Sequence, residues 1–118
     1  PWTPALIQIK NKVESVSSVQ FNSVLLNLYR SGADGVSWHS DDEPELGVNP
    51  IIGSVSLGES RSFQLKHKVN TDLKQKIILE HGSYLLMQGK TQHHWIHQIP
   101  KSKKKMSERI NLTFRVIY

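Results

Sequence analysis

From Arg109 to Val116 polar and apolar side chains alternate without a break: Arg109, Asn111, Thr113 and Arg115 against Ile110, Leu112, Phe114 and Val116. An extended strand turns every second side chain to the same face, so this segment reads as a strand with one polar and one apolar side. Alternation by itself favours a half-exposed strand whose polar face meets water. In the other reading that face lines the inside of a barrel. Two guanidiniums there need an anionic partner, because an unpaired buried charge is very costly.

The rest of the chain supports a mostly β fold. Phe21–Arg30, Ile51–Leu57, Arg61–Lys68, Lys74–Glu80, Ser83–Gln88, His94–Ile99 and Arg109–Tyr118 are short β-prone segments. Ser31–Gly35, Gly58–Ser60, Asn70–Asp72 and His81–Gly82 punctuate them,. Ahead of them one helix is predicted. Thr3 is its cap and Pro4 its first residue, Leu6, Ile9, Val13 and Val16 form the apolar stripe, and it stops within Ser15–Ser18,. One helix and seven or eight strands make a sheet packed on a sheet, or a barrel, with the helix outside. In Phe21–Arg30, Val24, Leu26 and Leu28 share one face, while Ser23, Leu25, Asn27 and Tyr29 share the other.

Composition removes several function classes. The chain of 118 residues has no cysteine, which excludes disulfide scaffolds, zinc fingers, iron–sulfur clusters and thiol nucleophiles,. That absence suits a reducing, intracellular compartment. Apolar runs such as Tyr84–Met87 are far shorter than the ~20 residues of a membrane span,. The net charge of +5 favours polyanions, and Lys101–Lys105 reads as a solvated basic loop,. The first residue is Pro1, not methionine, which reads as a piece of a longer protein.

Against that positive background, four of the ten acidic residues fall in Asp41–Glu45. Crowded carboxylates repel one another unless a cation or hydrogen-bond donors compensate. His39 and Asp41 are two apart, so on extended backbone they face the same way and offer an imidazole nitrogen and a carboxylate oxygen to one ion. A third ligand must come from His67, His81, His93, His94 or His97. Two imidazoles and one carboxylate on one face of an octahedral ion leave three positions open, the donor set of non-haem Fe(II) oxygenases.

Taken together, Asn27-x-Tyr29, His39-x-Asp41, His97 and Arg109-x-Asn111-x-Thr113-x-Arg115 resemble the AlkB family of Fe(II)/2-oxoglutarate dioxygenases. Phe21–Arg30, His39–Gly47, Pro50–Phe63 and His81–Pro100 are also similar to its DNA-repair branch, and the likeness runs from Phe21 to Tyr118. The resemblance implies a double-stranded β-helix, or jelly roll, with the N-terminal helix packed outside. It implies that residues 1–118 form a single catalytic-core domain, lacking the family's N-terminal nucleotide-recognition region. It places Fe(II) on His39, Asp41 and His97, the last because the family's ligand follows the tryptophan by two residues. Arg109 is then expected to pair with the distal carboxylate of 2-oxoglutarate, with Asn27, Tyr29, Asn111 and Arg115 completing that pocket and Thr113 on the same face. Asp42, with Glu43 beside it, is assigned to the substrate base, and Arg61 to orienting that acid or the base.

The implied reaction consumes 2-oxoglutarate and O₂ and removes the N-methyl group of bases such as 1-methyladenine and 3-methylcytosine in DNA or RNA. Asp42 and Glu43 would attract the cationic base, and Lys101–Lys105 the phosphates. The expected partner is alkylated nucleic acid, met by a monomer with no membrane attachment. Two alternatives stay open: the same oxygenase chemistry on tRNA or on a substrate other than nucleic acid, and a non-enzymatic jelly-roll binding module.

Overall fold

A computed structural model describes residues 2–118; Pro1 lies outside them. The chain opens with helix α1 (Pro4–Ser17). The Thr3 hydroxyl accepts the Leu6 N–H at 3.2 Å, and Pro4 stands where a missing N–H costs no helical bond,. The helix stops as Ser18 turns left-handed (φ 57°) and its N–H reaches the Glu14 carbonyl. Of the expected stripe Val13 is buried and Leu6 and Ile9 are half-buried, but Val16 is exposed. The last turn is held by a polar contact instead, Ser17 Oγ to the Tyr84 hydroxyl at 2.5 Å.

Eight strands follow: β1 (Ser23–Tyr29), β2 (Val36–His39), β3 (Ile52–Gly58), β4 (Arg61–His67), β5 (Lys74–Leu79), β6 (Tyr84–Met87), β7 (Trp95–Ile99) and β8 (Arg109–Arg115). They form two four-stranded antiparallel sheets, ordered β1-β8-β3-β6 and β2-β7-β4-β5. This is the jelly-roll arrangement with one helix outside. One core lies between the sheets and joins Tyr29, Ile52 and Met87 of the first to Phe63, Leu79 and Ile99 of the second. The other joins α1 to the first sheet through Val13, Phe21, Val55, Leu112 and Phe114.

Strand β8 lies between β1 and β3, which settles its two faces. Leu112 and Phe114 lie in the core shared with α1. Arg109 and Asn111 are buried between the sheets and Thr113 and Arg115 are half-buried, so the polar face turns inward. The register sets Arg109 opposite Tyr29 and Gly58, Asn111 opposite Asn27 and Ser56, and Thr113 opposite Leu25 and Ser54. Gly58 (φ +98°) turns the chain from β3 into β4, and a Cβ there would strike the Glu108 carbonyl oxygen,. β1 carries the reverse pattern, with Leu26 and Leu28 more than half exposed on its outer face.

Three short elements are not predicted by pattern. β2 has only four residues, too few for periodicity to register,. A 3₁₀ turn at Pro44–Leu46 buries Leu46. The strand expected at His94–Ile99 begins at Trp95, because His94 closes a one-turn helix, α2 (Thr91–His94). The last strand ends at Arg115 rather than Tyr118, whose N–H instead reaches the Glu45 carbonyl at 2.8 Å. No helix among the described residues is long and apolar enough to cross a membrane.

Candidate active site and metal centre

Strands β2 and β7 pair with His39 directly opposite His97. Both rings point between the sheets, with centroids 4.3 Å apart. Asp41 lies two residues past His39, just beyond the end of β2. Its carboxylate oxygens come within 3.9 Å of His39 Nε2 and 3.5 Å of His97 Nε2. One ligand atom from each of the three residues lies within 4.8 Å of the others. No second cluster of this kind occurs among the described residues. His67, His81, His93 and His94 lie outside it.

The electrostatics suit a divalent cation. His39 Nδ1 is 2.8 Å from the Ser37 carbonyl oxygen, a contact that requires the proton on Nδ1 and leaves Nε2 as the ring atom turned toward Asp41,. Burial, helped by the nearby His39, pushes His97 down to about 4. Burial also raises the Asp41 carboxyl; His39 and Arg115 oppose that shift, while Glu43 and Asp42 add to it. A divalent ion binds imidazole in its neutral form and carboxylate in its ionised form, and the lowered His97 suits the first of these,. Two nitrogens and one carboxylate oxygen fit Fe(II).

These three side chains border one cavity of about 100 Å³, which Tyr29, Arg109, Asn111, Thr113 and Arg115 also line. Arg109 is 1% exposed. Its Nη2 donates to Ser56 Oγ at 2.9 Å, and its guanidinium lies 4.8 Å from the centre of the Tyr29 ring. Its Nε and Nη1, and the Nε of Arg115, are buried with no hydrogen-bond partner. Burial accordingly pulls the Arg109 pKa down. Orphaned guanidinium donors lining a cavity fit a carboxylate, whose two oxygens match the planar fork. A dicarboxylate that reaches both the ligand cluster and Arg109 satisfies both halves of the site.

Other predicted residues occupy different places. Asn111 donates to Ser54 Oγ at 2.6 Å and accepts from Thr113 Oγ1 at 2.6 Å, so these two brace the cavity wall. Asn27 is half-buried opposite Asn111 and does not border the cavity. Asp42 and Glu43 are exposed, and Asp42 borders a separate cleft with Gly47, Val48 and Pro50.

Arg61 needs correction. It is 3% exposed, and its guanidinium donates to the carbonyls of Ser31 (3.4 Å), Asp34 (2.8 Å) and Pro100 (3.0 Å). These contacts join two loops behind Tyr29, and none of them reaches Asp42.

Sequence reasoning also misses residues that matter here. Ser54 and Ser56 hold Asn111 and Arg109, and two serines at i, i+2 in an otherwise apolar strand were the available signal. Gln92 is 2% exposed and accepts the Asp41 N–H at 2.8 Å; nothing in its local sequence announces it.

The family model described as the 2OG-Fe(II) oxygenase superfamily matches residues 1–115. The chain is 46% identical over 125 residues to alpha-ketoglutarate-dependent dioxygenase alkB homolog 3 of Homo sapiens. This chain is an AlkB-family member of the 2OG-Fe(II) oxygenase superfamily. The alignment with that human relative covers 99% of the chain and 44% of the relative. Similarity to another AlkB homologue, the human DNA oxidative demethylase ALKBH2, is 40% over 124 residues, covering 99% of the chain and 48% of the relative. The chain thus spans about half the length of the curated relatives it matches. Among solved structures, that of OsALKBH1 superposes with a TM-score of 0.73 at 21% identity, covering 98% of this chain and 65% of that one, which supports the fold. Iron, 2-oxoglutarate and O₂ are the cofactor and cosubstrates of this family.

Proposed function

We propose that this chain is the catalytic core of a dioxygenase that oxidatively demethylates N-alkylated bases in nucleic acid. The observation that carries the oxygenase reading is the single cavity bordered by both the His39, Asp41 and His97 cluster and the buried, under-partnered Arg109 guanidinium. The substrate class rests on the names of the relatives and on the basic exterior.

In this reading His39, Asp41 and His97 hold Fe(II) through two nitrogens and one oxygen. Arg109 binds the distal carboxylate of 2-oxoglutarate through the donors it leaves free, while Ser56 and the Tyr29 ring keep its fork from rotating. Arg115 supplies a second positive charge beside Asp41. The apolar walls from Ile52, Phe63, Leu79 and Met87 lower the polarity around the site, which strengthens each of these contacts,. The bound metal and cosubstrate supply oxidative decarboxylation to succinate and CO₂, coupled to hydroxylation of the substrate N-methyl carbon. The N-hydroxymethyl product then loses formaldehyde and restores the base.

Asp42 and Glu43 place exposed negative charge next to the ligand loop, where a cationic base such as 1-methyladenine is favoured. The net charge of +5 and the exposed lysines of Lys101–Lys105 draw in phosphates,. The chain acts as a monomer in this reading.

The test is formaldehyde release from oligonucleotides carrying 1-methyladenine or 3-methylcytosine, against unmethylated controls. Methyl-dependent release is expected. Succinate formation without methyl-dependent formaldehyde would keep the oxygenase and remove the substrate class.

A further inference from the structure

The Asp41 ligand sits on a loop, and nothing in the β2 ladder fixes it. From the geometry we infer that Gln92 is the positioning residue that holds Asp41 in register with the two histidines. This inference deepens the proposed function and rests on its metal site.

Gln92 lies in α2, the single turn between β6 and β7, and is 2% exposed. Its Oε1 accepts the Asp41 N–H at 2.8 Å across 51 residues of sequence. Its Nε2 faces Met87 Sδ at 3.6 Å. The reverse placement of the amide would set two N–H donors against each other at Asp41, so the oxygen must face the loop. The Gln92 carbonyl in turn accepts Lys68 Nζ at 2.8 Å, which ties the turn to the end of β4.

Next to it, His93 Nε2 reaches the Val48 carbonyl oxygen at 2.5 Å and Asn49 Oδ1 at 3.0 Å. The α2 turn therefore grips the Asp41–Pro50 loop at both ends. The Gln92 contact decides the ligand because it acts on the backbone of the ligand residue itself.

Partners of ligand residues act by restricting where the ligand atom lies before the metal arrives, and losing one typically lowers metal affinity 10–100-fold. Leucine at position 92 preserves most of the volume and removes the acceptor of the part-buried Asp41 N–H. Glutamate preserves an acceptor oxygen at the same reach. A purely space-filling role instead predicts that the folded leucine variant binds the metal as the wild type does.

The experiment uses Co(II) alone as the probe and compares the wild-type chain with Gln92→Leu and Gln92→Glu. Binding is read by calorimetry and by the visible ligand-field absorption, and folding by circular dichroism and thermal unfolding. Gln92→Leu is expected to fold, bind Co(II) about tenfold or more weakly, and show an altered ligand-field band. Gln92→Glu is expected to recover the wild-type band and an affinity within about threefold of wild type, well short of that 10–100-fold loss. If Gln92→Leu loses its cooperative unfolding transition, Gln92→Asn replaces it, because one methylene less carries the amide out of reach of Asp41 with a smaller change of volume.

Equal Co(II) affinity and spectrum in wild type and Gln92→Leu would overturn the inference while leaving the oxygenase reading intact. Glutamate failing to rescue would overturn it as well. A wild-type chain that binds no Co(II) would overturn the metal site and this inference together. Absent succinate formation with Co(II) binding still sensitive to Gln92 would sink only the oxygenase reading.

Discussion

Arg109 shows most clearly how one residue departs from its surface behaviour. A guanidinium at 1% exposure with two donors unengaged is unfavourable until an anion arrives,. Arg109→Ala should therefore abolish 2-oxoglutarate-dependent succinate formation, and Arg109→Lys should restore little, since an ammonium lacks the planar fork. Both are read by succinate release against 2-oxoglutarate concentration.

His97 gives a pH prediction with a definite sign. Its folded pKa is depressed to about 4 from an unfolded value of 6.5, so between these values the unfolded chain binds the extra proton,. Its contribution to stability in metal-free protein is complete above pH 6.5 and is lost as pH falls toward 4. Asp41, raised by burial, works in the opposite sense at the acid end. Comparing the thermal midpoint of chelator-treated wild type and His97→Gln across pH 7 to 4 isolates the histidine; the wild type should fall more steeply.

At the scale of elements, the loops depend on buried polar side chains as much as the strands depend on apolar ones. Arg61 satisfies three carbonyls from two loops at once. Arg61→Met should cost about 2–4 kcal/mol, from buried acceptors left unpaired, and should leave the KM for a methylated oligonucleotide unchanged in the folded fraction. Urea unfolding measures the first and steady-state kinetics the second. A raised KM at wild-type stability would return Arg61 to the substrate site. Phe114, with no exposed surface beneath α1, should cost about 3–5 kcal/mol as alanine by the same unfolding measurement,.

These elements also mark how far the chain was legible in advance. The helix, its cap and seven strands follow from periodicity and turn residues, because both act within a few neighbours. The inward turn of β8 does not follow from its alternation, which by itself favours a solvent face. Only the packing of α1 on one face and of the second sheet on the other decides, and that is a tertiary fact. β2, α2 and the Gln92 contact escape for a related reason: four-residue elements carry too few positions for a period. A side chain that reaches 51 residues back leaves no local trace. Arg61 reads as a free arginine until the loop carbonyls around it are seen.

At the scale of the whole molecule, charge is divided between a negative loop beside the ligand cluster and a net positive body. Oligonucleotide affinity should fall linearly with salt on logarithmic axes. Lys103→Glu with Lys104→Glu should lower the slope by about 1.4–1.8 if each lysine contacts one phosphate. Fluorescence anisotropy at several salt concentrations measures this, and an unchanged slope would detach that loop from nucleic acid.

The outer face of β1 has a consequence of a different kind. Leu26, Leu28 and Ile110 stand side by side there with 40–56% of their surface in water. Excluded salts such as sulfate penalise apolar surface of this sort, so the chain should precipitate early on an ammonium sulfate titration. Leu26→Lys with Leu28→Lys should carry the cloud point to higher sulfate while the melting temperature hardly moves.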